Sequence, residues 1–234
     1  MILETMTRKE MLKEICRDND ELWNSIYAFI GNGGINHLRK NAKFPANVIR
    51  EYTSKRGTKY LQVLRFLTKR DVFEMTPYEY HCALLETKEG RSMMLRVFDS
   101  KSKSVTLVYL RPHVFKRYKE RMGFKQEGID IIKAYYKRNP DMVLHTDYKH
   151  KEGDVENDFM LSISDGALFG TKNKDDIGYT VNTFIANDTM QEGYKSKFNK
   201  QHNDRLESDA KAWRGYLPDE MLMYNKRKED TKKK

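Results

Sequence analysis

His113, Arg117 and Arg121 stand four residues apart in the segment Tyr109-Leu-Arg-Pro-His-Val-Phe-Lys-Arg-Tyr-Lys-Glu-Arg121. On an α-helix that spacing puts one imidazole and two guanidiniums on nearly one stripe, with Arg111 just before it. Arginine forks grip the non-bridging oxygens of a phosphodiester and stabilise the charge that builds on them during transfer. An imidazole moves a proton near neutral pH. In RNA the ribose 2′-hydroxyl can itself attack, so cleavage on such a stripe needs no metal or cofactor. Val114, Phe115 and Tyr118 fall on the other side of the same helix. The three polar residues therefore also fit the solvated face of an amphipathic helix, and both readings stand.

Other polar groups are weaker candidates. His145 and Asp147 alternate along a predicted strand, close to His150, and could hold a divalent ion or act as an acid–base pair; an exposed loop start fits them equally. Asp154, Glu156, Asp158, Asp175 and Asp176 could be imagined as a two-metal site, but their crowding into loop-like stretches favours solvated loops. No metal or cofactor is expected. His37, His81 and His202 are isolated. The chain has no GxxxxGK[ST], GxSxG or HExxH, and no GxGxxG following a strand, which sets aside motif-bearing ATPases, Rossmann oxidoreductases, α/β-hydrolases and zinc proteases. Two cysteines, Cys16 and Cys82, make neither a disulfide framework nor a zinc site, so a reducing, cytoplasmic setting is expected.

The charge is unevenly distributed. The chain has 234 residues and a net charge of +10. Residues 38–70 hold ten basic residues against one acid, Glu51; residues 111–125 hold six against Glu120; the tail 226–234 holds six against two. The rest of the chain is net acidic. Arg39, Lys40, Lys43, Arg50, Lys55, Arg56, Lys59, Arg65 and Arg111 are the candidate nucleic-acid contacts, with Tyr52, Tyr60, Phe66, Tyr78 and Tyr80 interleaved as stacking or core aromatics. RNA is expected over DNA. Solvated lysine-rich faces are the plainer alternative. No apolar run is long enough to span a membrane, and the charged N-terminus lacks the apolar core of a signal peptide.

These residues must be positioned by an α+β fold. Thr7 and Glu10 form a T-x-x-E capping pattern ahead of a helix over 7–30, breakable at Asp18-Asn19-Asp20 and stopped by Gly31-Asn32-Gly33-Gly34. Pro45 opens a short helix through Tyr52. Tyr60–Leu67 reads as a strand, although Leu61, Leu64 and Leu67 also fit a helix. Tyr78–Glu86, Ser92–Phe98 and Ser104–Leu110 read as a meander. Pro112 starts a helix ended by Gly123, and a second runs from Glu127 to Lys137. Strands follow at Met142–His145, Phe159–Ile163, Ala167–Gly170 and Tyr179–Ala186, with Ser164-Asp165-Gly166 as a tight turn. Asn187-Asp188 caps a helical region from Thr189 to about Tyr224. The predicted architecture is an N-terminal helical extension (1–36), a main domain (37–225) with antiparallel sheets, a central helix pair and a C-terminal helical region, and a disordered basic tail (226–234).

With these elements in order, residues 104–200 resemble the barnase/EndoU/colicin/RelE-like nuclease superfamily, in its phage and toxin branches. The resemblance rests on His113 and Arg117 in an H-x3-R helical segment, then on Asp158–Ser164, Gly166–Thr171 and Tyr179-Thr-Val-Asn-Thr-Phe-Ile185 as a small antiparallel meander. It implies a metal-independent RNA endonuclease. Arg117 and Arg121 would hold phosphate, His113 would move a proton, and Thr183 would supply the strand hydroxyl that bonds phosphate or the attacking group. The long N-terminal part and the acidic loop 147–158 depart from the family pattern. The alternative is a non-catalytic nucleic-acid-binding protein, or a structural or assembly accessory protein of a phage or mobile element.

Overall fold

A computed structural model describes residues 1–75, 77–99, 104–139, 142–145, 159–173 and 177–190, together with Asp204. The chain opens with α1 (Arg8–Arg17) and α2 (Asn19–Gly31). The capping box forms as its residue types require: Thr7 Oγ1 accepts from the Glu10 amide and the Glu10 carboxylate accepts from the Thr7 amide. Asp18 separates the two helices, at the expected break. After α3 (Asn36–Asn41) come β1 (Ala46–Thr53), β2 (Lys59–Phe66), α4 (Lys69–Glu74), β3 (Tyr78–Thr87), β4 (Gly90–Asp99) and β5 (Ser104–Leu110). Then follow α5 (Pro112–Met122), α6 (Gly128–Arg138), β6 (Val143–His145), β7 (Phe159–Ile163), β8 (Gly166–Lys172), β9 (Tyr179–Ala186) and a single 3₁₀ turn, Asn187–Thr189.

The helix expected after Pro45 is instead β1. Ala46, Val48 and Tyr52 bury toward the N-terminal helices, while Ile49 and Glu51 face the other way. That is a period of two, and the strand pairs with β2 over its whole length, from Ala46 opposite Phe66 to Thr53 opposite Lys59. Pairing with the more apolar β2 overrides a proline whose position also suits a helix start. Helix α4 was not expected; its own capping box, Thr68 with Asp71, holds one short turn.

The nine strands described form one sheet in the order β1-β2-β3-β4-β5-β9-β8-β7-β6. Two antiparallel meanders, β1–β5 and β6–β9, meet at a seam where β5 and β9 run parallel. The wholly antiparallel arrangement is thus corrected at that seam. The α5–α6 connection carries the chain past the seam to the far edge. The second meander then builds back inward, so its last strand arrives alongside β5 through a helical crossover of the kind parallel pairing needs.

One sheet face packs against α5 and α6. Leu61, Val63, Met93, Val108, Phe159, Leu168, Val181 and Phe184 bury there with Val114, Phe115, Tyr118, Ile132, Tyr135 and Tyr136. Cys82 lies in the same layer, where burial pushes its thiol up to about 12. The other face of the first meander packs against the N-terminal helices. Met11, Ile15 and Leu22 bury with Tyr60, Leu85 and Leu107, and Ile26 and Ile30 with Leu64 and Phe66. Each such side chain contributes about 1.5–3 kcal/mol by leaving water. The N-terminal helices thus cover this face of the first meander. The expected C-terminal helical region beyond Met190 and the basic tail lie outside the described residues, apart from Asp204.

Candidate nucleic-acid interface

Helix α5 is built as its sequence predicts. Arg111 is extended at the N-cap, Pro112 fills the first helical position, and Gly123 closes the C-terminus at φ 68° with its amide on Lys119 O. Val114, Phe115 and Tyr118 bury against the sheet. That orientation leaves His113, Lys116, Arg117, Glu120 and Arg121 exposed on the outer face, next to exposed Arg111. The Arg117 Nε–H donates to His113 Nε2 at 3.2 Å, and Arg117 Nη1 lies 3.4 Å from Glu120 Oε2. His113 Nε2 is thus an acceptor here, which puts the ring proton of a neutral imidazole on Nδ1. Arg121 has no ion pair among the described residues.

Thr183 does not join them. Its neighbour Phe184 buries against α5, with its ring centroid 5.1 Å from that of Tyr118. Successive strand residues point to opposite faces. Thr183 therefore faces away from α5, where its cross-strand partner Phe169 packs on Met160 and Ala167. A register shift places Thr183 opposite Phe169 but Val181 opposite Gly170, which makes Asn182 the extra residue of a bulge. The strand hydroxyl implied by the resemblance is thus on the far side of the sheet from His113, Arg117 and Arg121.

Nor does the basic stretch 38–70 form one surface. Arg39 and Lys40 end α3, and Lys43 follows it, at the Ala46–Phe66 end of the β1–β2 hairpin. Lys55 and Arg56 sit in the turn at the opposite end and Lys59 begins β2 there. Arg56 is engaged by α1 and the α1–α2 junction, 3.9 Å from Glu14 and 3.7 Å from Asp18. Arg50 lies on the α2 side of the sheet. Arg65, between the inward-facing Leu64 and Phe66 of the N-terminal layer, lies on the α6 side. Charge density along a sequence becomes charge on one surface only if the backbone does not alternate it, and a hairpin does alternate it. The interleaved aromatics follow the same rule: Tyr60 and Phe66 are core, and Tyr60 donates to the buried Asp18 carboxylate at 2.8 Å.

A polar knot unseen in the sequence lies beneath α5. Asp165, in the β7–β8 turn, takes a fork from Arg138 (2.8 and 2.7 Å), a hydrogen bond from the Tyr118 hydroxyl (2.5 Å) and one from Asn139 Nδ2 (2.9 Å). Its own amide donates to Asn139 Oδ1 at 2.8 Å. Burial alone would raise the Asp165 pKa, but Arg138, Tyr118 and Asn139 outweigh it and hold the carboxyl below the usual range. Burial and the Asp165 carboxylate together push the Tyr118 hydroxyl up. Asn139-Pro140 and Ser164-Asp165-Gly166 read separately as a helix stop and a turn; nothing in their spacing joins them. The knot pins the helix pair to the second meander.

Among the described residues, no three His, Cys, Asp or Glu side chains gather closely enough to hold a metal ion. His145 is in β6, while Asp147, His150, Asp154, Glu156, Asp158, Asp175 and Asp176 lie outside the described residues. No described helix is long and apolar enough to cross a membrane. No protein-family model, curated protein or solved structure matches this chain.

Proposed function

We propose that this chain engages nucleic acid, RNA before DNA, through the outer face of α5. The observation that carries this reading is the exposed His113–Arg117 pair, joined at 3.2 Å and flanked on the same face by Lys116 and Arg121 with Arg111 at the helix start. A helix face presents such side chains to a phosphate backbone without needing a pocket. Binding of a fluorescent single-stranded RNA, followed by anisotropy across a salt series, tests it. In the double variant Arg117→Ala/Arg121→Ala we expect affinity to fall about tenfold, and the slope of log K against log salt to lose about 0.7 per phosphate contact removed. An unchanged slope would reject this face.

The His113–Arg117 hydrogen bond also supports a second reading, metal-independent RNA cleavage. A phosphate that draws Arg117 onto its oxygens would release His113 Nε2 to take the 2′-hydroxyl proton; the 2′-oxygen then bonds phosphorus, the P–O5′ bond breaks, and the leaving 5′-oxygen takes a proton from water. The expected result is RNA cleavage that persists in EDTA and falls about 100-fold or more in His113→Ala. Cleavage that survives both His113→Ala and Arg117→Ala would sink this second reading and leave the binding proposal standing.

A further inference from the structure

We infer that a cleft on the opposite side of the sheet from α5 binds a nucleotide, with its phosphate on Arg50 and its base against the stack that Arg50 makes with aromatic rings. The cleft, of about 550 Å³, lies between the C-terminal half of α2 and β1, the edge strand of the sheet. Its size falls in the range of small-ligand sites, roughly 300–1,000 Å³. Ala28, Phe29, Asn32, Gly34, Arg50 and Tyr52 line it.

The geometry gives each a part. The Arg50 guanidinium carbon lies 4.7 Å from the Phe29 ring centroid and 5.7 Å from that of Tyr52. Its Nη1 donates to Ser25 O at 3.1 Å. These contacts fix the plane of the guanidinium and use one edge of it. Its remaining N–H donors have no partner among the described residues, and no carboxylate pairs with it. The nearby acid, Glu21, is committed to the Tyr52 hydroxyl and the Lys55 amide, both at 2.7 Å. By contrast Arg17, Arg56, Arg70, Arg91, Arg117 and Arg138 each have a carboxylate partner. Arg50 is half-buried, and loss of solvent lowers its pKa. A cation that is partly dehydrated and lacks a counter-charge gains more from an anion than an exposed one does.

The planar group is recognised by the same residues. An arginine already held flat on an aromatic ring stacks on a nucleobase as readily as it binds phosphate. Asn32, exposed at the end of α2, offers an amide donor and acceptor at the rim for the edge of the base. Gly34 lets the chain close onto Phe29, since a Cβ there would lie 2.3 Å from the ring, and so keeps the ring beneath Arg50. The site stands on this geometry and does not depend on the α5 reading.

Calorimetric titration of the full chain with adenosine 5′-monophosphate, adenosine, inorganic phosphate and a 12-nucleotide oligoadenylate tests the inference. The monophosphate should bind at least tenfold more tightly than adenosine or phosphate. Arg50→Gln should weaken it about tenfold or more. Ala28→Trp, which fills the cleft from an exposed helical position, should do the same with an unchanged melting temperature. Arg117→Ala/Arg121→Ala should leave monophosphate binding intact, which separates failure of this site from failure of the α5 face. Competition between oligoadenylate and the monophosphate would identify the end of a single strand as the occupant, and absence of competition a free nucleotide; either supports the site. Monophosphate binding no tighter than phosphate, or unaffected by Ala28→Trp, would overturn it.

Discussion

Asp165→Ala is expected to destabilise the fold by about 3 kcal/mol, the lower end of what breaking a buried ion pair from one side costs. The substitution strands the fully buried Tyr118 hydroxyl donor and takes the carboxylate from Arg138, while Asn139 Nδ2 keeps the Tyr135 carbonyl and the Tyr118 oxygen as acceptors. A buried donor without a partner costs about 1–3 kcal/mol. Arg138 is half exposed and rehydrates, which is why the larger figures are not expected. Urea unfolding at pH 7 measures the difference, and a loss below 1 kcal/mol would mean that the knot does not hold the helix pair.

The same carboxylate makes a pH prediction. The folded Asp165 pKa is depressed, while the unfolded one is near 3.9. The folded protein thus holds on to fewer protons, and Asp165's contribution is complete above about pH 4. It is lost as pH falls from there through the lower folded value. Wild type and Asp165→Ala should accordingly converge in stability on acidification below pH 4, and parallel curves there would contradict the assignment.

Gly178→Ala is the second large effect, and it addresses the seam between the meanders. Gly178 has φ +91°, and a Cβ built on it would lie 2.0 Å from the Leu107 carbonyl oxygen of β5. Both obstacles are backbone, so no rotamer relieves them. Overpacking costs about 1–3 kcal/mol and a left-handed alanine about 1–2 kcal/mol more. We expect about 3 kcal/mol or more in denaturant unfolding, or loss of the native fold. Gly123→Ala is the control: its φ is +68° but nothing lies within 4 Å of the added Cβ, so only the conformational cost of about 1–2 kcal/mol remains. Equal effects at the two glycines would show that the close approach at the seam is not what matters. Because β9 carries Val181 and Phe184 under α5, loosening the seam should also weaken the RNA binding proposed for the α5 face.

Period and punctuation made most elements readable. Thr7 with Glu10, Pro112 and Gly123 are local signals whose meaning does not depend on the rest of the chain, and the helices they bound stand where those signals put them. The short strand-forming runs of β3, β4, β5, β7 and β9, set off by turn residues, were legible for the same reason. Pro45 misled because a proline at a helix start and one just before an edge strand satisfy the same local φ, and only the pairing with β2 chooses between them.

The site divides along the same line. That His113, Arg117 and Arg121 share a stripe follows from helical spacing alone, and that the stripe faces outward follows from Val114, Phe115 and Tyr118 being apolar. Spacing could not say that Thr183 lies on the other face of the sheet, because a single bulge at Asn182 changes which residues of β9 point toward α5. Nor could it bring Asp165 to Arg138 and Tyr118, or Arg50 to Phe29, since each of these contacts joins segments that only the sheet order places side by side. Apart from β1 and α4, the elements, their exposed and buried faces and the charge each carries are readable along the chain, because they depend on neighbours within a few residues. Long-range pairing alone sets which faces meet: it disperses the basic stretch 38–70 over two sides and two ends of a hairpin, keeps the α5 stripe whole, and leaves Arg50 beside an open cleft without a carboxylate partner among the described residues.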